Sequence, residues 1–182
     1  HEASDDAEGI SLDISWNLSA LTFNSLSAYN DAERAGALDL DGTDVAVRGQ
    51  RSVLGSRTFT QEFQLLSDDK TDLKWILGAF YFEEQSDYYL QLTIPVIPAA
   101  EFTLSPVEAE TTSKAIFGQI DYSFTDKLEL TAGLRYSRDE KDMLRGLFLT
   151  LDGINPFIDD TSTLDDSWEQ TTGKLGLSYR AS

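Results

Sequence analysis

The most regular feature of the chain is a two-residue alternation of apolar and polar positions. From about residue 10 to 16, Ile10, Leu12, Ile14 and Trp16 alternate with Ser11, Asp13 and Ser15, the period of a strand whose faces meet different surroundings. The chain then turns through 17–20 and begins a second strand, about 21–30, with Leu21, Phe23 and Tyr29 on one face and Thr22 and Asn24 on the other. A third, about 57–66, sets Phe59, Phe63 and Leu65 against Thr58, Thr60, Glu62 and Gln64, and stops at the turn-rich 67–72. A fourth follows at once, with Leu73, Trp75, Leu77, Ala79 and Tyr81 sharing a face.

The fifth strand, about 111–124, places Ile116, Ile120, Tyr122 and Phe124 opposite Phe117, Gln119, Asp121 and Ser123. After a tight turn at 125–127, Leu128, Leu130, Ala132, Leu134 and Tyr136 alternate with Glu129, Thr131, Gly133, Arg135 and Ser137 in a sixth. The seventh, about 168–180, sets Leu175, Leu177 and Tyr179 against Lys174, Gly176, Ser178 and Arg180.

The connections alternate between short (17–20, 67–72, 125–127) and long (about 31–56, 83–110, 138–167). Transmembrane barrels show this asymmetry because their periplasmic turns are short and their external loops long. Trp16, Tyr122 and Phe124 sit beside short turns, whereas Tyr29, Tyr81 and Tyr136 sit at the opposite strand ends. Two aromatic girdles at two membrane interfaces are the natural reading, since such rings have an apolar body and often a polar edge. Aromatic ends capping the core of a soluble sheet are the alternative.

Composition narrows the classes. A net charge of −18 argues against nucleic acid, whose phosphates require clustered Lys and Arg. The absence of cysteine removes disulfides, thiolate metal sites and a cysteine nucleophile. No run approaches the roughly 18 apolar residues of a transmembrane helix, so any membrane crossing is made by strands. The opening His1-Glu2-Ala3-Ser4-Asp5 has neither initiator Met nor signal-peptide pattern, and the chain is expected to be a piece of a longer protein.

Several stretches resemble the barrel of TonB-dependent receptors: LTFNSLSAYNDAER from Leu21, TFTQEFQLLS from Thr58 and LKWILGAFYFEEQ from Leu73. KAIFGQIDYSFTDKLELTAGLRYSRDEKD from Lys114 and SWEQTTGKLGLSYR from Ser167 follow in order, and the block 117–141 is the most specific. The resemblance covers the strands and little of the long connections. It implies a barrel of about 22 strands around an amino-terminal plug. Residues 1–182 would then be a partial barrel domain, with plug, TonB-pairing box, signal peptide and last strands outside this sequence.

Candidate chemistry is sparse. Asp39, Asp41 and Asp44; Asp139, Glu140 and Asp142; and Asp159, Asp160, Asp165 and Asp166 form acidic clusters. DLDGTD from Asp39 resembles the start of a calcium loop, but Asp44 and Gln50 stand where an EF-hand needs Gly and Glu. Solvated acidic loops are the favoured reading, and a glycosidase needs a carboxylate spacing that sequence does not supply. The sole histidine, His1, is a tail residue and builds neither triad nor zinc site. Arg135 and Arg180 are expected to face the lumen beside Glu129, Asp121 or other strand carboxylates, as wall charges. Pro95 and Pro98, with Ile94, Val96 and Ile97, form a semi-rigid apolar stretch expected to pack on its neighbours.

The expected fold is therefore all-β, an antiparallel up-and-down transmembrane barrel segment of about seven strands within a larger barrel. The expected role is outer-membrane uptake of a scarce, bulky solute energised through TonB, a ferric siderophore foremost, without enzymatic chemistry, cofactor or metal site. Substrate-contacting residues stay unassigned. The implied partners are outer-membrane lipid and lipopolysaccharide, the TonB complex through the plug, and the solute. The rivals are a passive porin-like barrel and a soluble β-sandwich binding module.

Overall fold

The computed structural model describes residues 2–39, 49–68, 71–93, 101–150 and 156–181, with side chains described except at 2, 93, 101–106, 147–150 and 156–159. Seven strands form one sheet in chain order: β1 (Glu2–Leu18), β2 (Leu21–Asp39), β3 (Gly49–Ser67), β4 (Leu73–Thr93), β5 (Glu101–Thr125), β6 (Leu128–Thr150) and β7 (Pro156–Tyr179). Every neighbour is antiparallel, as expected of an up-and-down meander, and the sheet is open, with β1 and β7 at its edges.

No second layer covers either face among the described residues. Ala115 is the sole hydrophobic residue there that is buried, while Leu175 is 80% exposed and Ile10 73%. A soluble sandwich puts one face of each sheet into a core, whereas both faces of the described sheet are uncovered.

The turns that join β1 to β2, β3 to β4 and β5 to β6 gather at one end. Ser19 takes a positive φ of 38° in the two-residue Ser19-Ala20 turn, a conformation two-residue hairpins favour because it matches strand twist. Thr125 Oγ1 closes the Asp126-Lys127 turn by accepting the Lys127 and Leu128 backbone N–H groups at 3.2 and 3.1 Å.

At the other end the strands run much farther than their alternation predicts. Most of the connections expected at 31–56, 83–110 and 138–167 is strand, leaving 40–48, 94–100 and 151–155 between the described segments. Asp41, Asp44 and the 94–98 apolar stretch lie there, and like His1 they fall outside the described residues. The ladder of backbone hydrogen bonds needs only extended geometry. Alternation additionally needs one face in apolar surroundings, and beyond about residue 30 of β2 or 82 of β4 the face that carries the apolar set turns largely polar, with Asp31, Glu33 and Asp39 on β2 and Glu83, Gln85 and Asp87 on β4.

Irregularities also concentrate in this far half. Register shifts fall between Tyr88 and Leu90 on β4 and between Leu104 and Val107 on β5, where an extra residue bends the strand locally.

Candidate functional site

Register converts the sequence pattern into surfaces. Directly opposed residues share a face, and the pairings Ile10↔Tyr29, Phe23↔Leu65, Phe63↔Ala79, Ala79↔Ile116, Ile116↔Tyr136 and Ala132↔Leu175 place the apolar set of every strand on one side. That set occupies 10–18, 21–29, 59–67, 73–81, 116–124, 128–136 and 171–179. About nine residues per strand, tilted about 40°, rise about 23 Å, which fits the hydrocarbon thickness a barrel strand must cross.

Two residues beyond this band, every strand turns a charge to the same face: Glu8, Asp31, Arg57, Glu83, Lys114, Arg138 and Glu169. The girdle tyrosines reach up to this rim. Tyr81 donates its hydroxyl to Glu83 at 2.6 Å, Tyr29 to Asp31 at 3.5 Å, and Tyr136 to Glu169. Their rings remain in the apolar band, so each spans the boundary between two solvents. Near the turn end, Tyr122 and Phe124 pack edge to face with centroids 4.8 Å apart.

The opposite face is polar and cross-linked. Asp121 accepts hydrogen bonds from Thr131 at 2.5 Å and Gln119 at 2.8 Å, Thr22 donates to Asn17 at 2.8 Å, and Gln64 donates to Glu62. Arg135 does point to this face, but not to a carboxylate. Its guanidinium lies 5.6 Å from the Phe80 ring centroid and 5.8 Å from that of Phe117, a double cation–π contact. The Phe117 ring in turn lies over Gly78, where an added Cβ would collide with it. Arg180 ends up just past β7, its N–H on the Lys127 carbonyl at 2.9 Å, lining a polar depression that Glu129 also lines.

The apolar face contains one polar island that alternation hides. Ser25, Ser27 and Gln61 replace apolar residues within the band and satisfy one another: Ser27 donates to Gln61 Oε1 at 2.5 Å, and Gln61 Nε2 donates to Ser25 and to the Leu26 carbonyl at 3.1 Å. Gln61 between Phe59 and Phe63, and the two serines between Phe23 and Tyr29, were the available signals.

Above the rim the acidic clusters are broken up by strand geometry. Asp139 points to the polar face while Glu140 and Asp142 point to the rim side, and Asp165 and Asp166 are likewise divided. The register instead assembles carboxylates from three strands, Glu110↔Asp142↔Asp165, which line an open cleft of about 870 Å³ with Asp87, Glu108 and Arg57. Among the described residues no group of three or more acidic or histidine side chains is placed to hold a metal ion. Asp160 pairs with Leu147 across the ladder, and the side chain of Asp159 is not among those the structure describes.

On the polar side at the same height, Leu54 and Tyr88 are cross-strand neighbours, as are Met143 and Leu164. Leu54, Leu164 and Trp168 are 46%, 54% and 47% exposed, an apolar patch on the same face as the Phe80 and Phe117 rings but nearer the far strand ends. Sequence reasoning missed it because Leu54, Tyr88, Met143 and Leu164 lie in stretches read as long connections, and Trp168 stands at the start of the seventh strand, outside its apolar set.

A single-layer antiparallel sheet with a membrane-width apolar band on one face, aromatic girdles at both edges and a hydrogen-bonded polar lining on the other is the wall of a transmembrane β-barrel. The chain belongs to the TonB-dependent receptor β-barrel family, whose sequence profile, "TonB dependent receptor-like, beta-barrel", matches residues 2–182. In structure it is similar to the ferric yersiniabactin uptake receptor FyuA from Yersinia pestis, with a TM-score of 0.80 at 13% identity over 99% of this chain and 26% of that one. It is also similar to the ferric-catecholate import receptor Fiu from E. coli K12 in its open form, with a TM-score of 0.69 at 12% identity over 99% of this chain and 34% of that one. The chain thus spans about a quarter to a third of the solved receptors it matches. The family and both neighbours are receptors and transporters of the bacterial outer membrane. The band therefore faces lipid, the polar face the lumen, and the far strand halves the cell exterior.

Proposed function

We propose that this chain is a wall section of a closed outer-membrane receptor that takes up a scarce, bulky solute, a ferric siderophore foremost, with energy delivered by TonB through a plug domain encoded outside the segment. The observation that carries this reading is the family match over residues 2–182, joined to a sheet whose two edges lack partners. In hydrocarbon, unpaired edge N–H and C=O groups each cost several kcal/mol, so the remaining strands of a barrel must pair with β1 and β7. Lipid and lipopolysaccharide surround the wall, and the lumen is filled by the plug.

The solute is met above the membrane. Leu54, Tyr88, Met143, Leu164 and Trp168 turn an apolar and aromatic surface to the lumen at the external end, suited to a large ligand with apolar or aromatic parts. The chain performs binding and gating, and no catalytic role is assigned to it.

The test is growth on single ferric siderophores under iron limitation, comparing deletion of the full-length receptor, Trp168→Ala and loss of TonB. Deletion and TonB loss are expected to abolish use of the same siderophore, and Trp168→Ala to weaken its binding about tenfold, the cost of losing one well-packed aromatic contact. A solute that still enters without TonB would identify a passive barrel. Deletion without effect on any ferric siderophore would remove iron uptake from the reading.

A further inference from the structure

The lipid-facing band is not uniformly convex. Ala79, flanked across the ladder by Phe63 and Ile116, leaves a groove of about 470 Å³ on this face, walled by those residues and by Tyr136 and closed at its external end by Tyr81, Lys114 and Arg138. Its lining below the rim is apolar apart from Gln61, whose amide is engaged by Ser25, Ser27 and the Leu26 carbonyl, and cationic at the rim.

The charges at its mouth are unusual. Lys114 and Arg138 are directly opposite across β5 and β6 on the same face, an arrangement that repels unless an anion lies near. Arg138 is balanced by Glu140 at 2.7 Å and Glu169 at 3.6 Å. Lys114 is in no ion pair among the described residues, and the nearby Glu83 carboxylate accepts the Tyr81 hydroxyl. Free anions in solution would be repelled by these three carboxylates. A phosphate carried on acyl chains is held at the depth of Lys114 by the chains themselves, which makes an amphiphile the fitting occupant.

We propose that this groove binds one phosphorylated, acylated glycolipid of the outer leaflet, an acyl chain lying over Ala79 and a phosphate against Lys114. The external position of the rim selects the outer leaflet, where such glycolipid is the main phosphate-bearing lipid. Because the site exists only if this face meets lipid, its test carries a control on that reading.

The complete receptor, purified from outer membranes in mild detergent, is analysed by native mass spectrometry for retained lipid. Wild-type barrel is expected to retain glycolipid of lipid A mass. Lys114→Ala is expected to lower the retained fraction about fivefold, the effect of one basic residue at an anionic lipid surface. Ala79→Phe fills the groove and is expected to lower it at least as far, with folding checked by heat-modifiable migration, while Arg57→Ala, a rim cation outside the groove, leaves it unchanged. Equal glycolipid on wild type, Lys114→Ala and Ala79→Phe, or retention of phospholipid in its place, would overturn the proposal. Normal membrane assembly of Leu134→Arg would overturn the lipid-facing reading itself, and the two failures are thereby separable.

Discussion

The same seven strands are built by two different rules along their length. In the half near the tight turns, each strand shows an apolar face and a polar face, and side chains such as Leu134 and Ile116, 62% and 64% exposed, stand on the outer one. In the far half the ladder continues through pairs such as Glu110↔Asp142 and Lys141↔Asp166, yet polar and charged residues occupy both faces. Backbone pairing is therefore indifferent to what the side chains meet. Alternation marks the boundary between two solvents, and it ends at the row of charges from Glu8 to Glu169 because the hydrocarbon ends there.

The strongest way to break this division is to place one charge on either side of the rim. Leu134→Arg puts a guanidinium within the band and is expected to destabilise the full receptor by about 2–4 kcal/mol, with failed assembly in cells. Thr163→Arg on β7, on the same face but above the rim, is expected to shift stability by less than about 0.5 kcal/mol. Urea unfolding in lipid vesicles measures both. Equal effects at the two positions would mean that the apolar band faces something other than lipid.

A smaller effect probes the inner face of the same half. Phe117 lies across Gly78 and carries Arg135, so Gly78→Ala forces the ring to move and removes part of the cation–π contact. The expected cost is about 1–3 kcal/mol, read from the urea midpoint. Phe117→Ala is itself destabilising, but in its background Gly78→Ala is expected to cost little more, since the collision is gone. Full additivity of the two changes would show that the ring does not depend on the glycine.

These contrasts also explain what the sequence disclosed. The short turns read at 17–20 and 125–127, each of which the structure tightens to two residues, the girdle tyrosines and the face of every strand were legible because the band imposes its alternation on the residues. The extensions were not, since nothing in DEKDMLRG from Asp139 distinguishes a solvated strand from a solvated loop. Arg135 could be assigned a face but not a partner: its rings come from β4 and β5, and sequence gives direction long before it gives distance. The lumenal patch of Leu54, Tyr88, Leu164 and Trp168 was hidden for a related reason, being assembled from strands whose register no local signal fixes.

The smallest effect lies wholly in the far half. Glu110, Asp142 and Asp165 stand directly opposite one another on adjacent strands, where like charges repel at the distance of a cross-strand pair. In the band such a row would be prohibitive, but here water screens it, and the residual repulsion depends on ionic strength. Asp142→Asn removes the central charge and keeps the side-chain shape, so the receptor is expected to gain a few tenths of a kcal/mol at low salt. That gain is expected to vanish near 1 M salt, where the screening length falls to about 3 Å. A gain that persisted in high salt would have to come from packing instead, and a loss at low salt would mean that Asp142 is held by a cation, turning a repulsive row into a binding one.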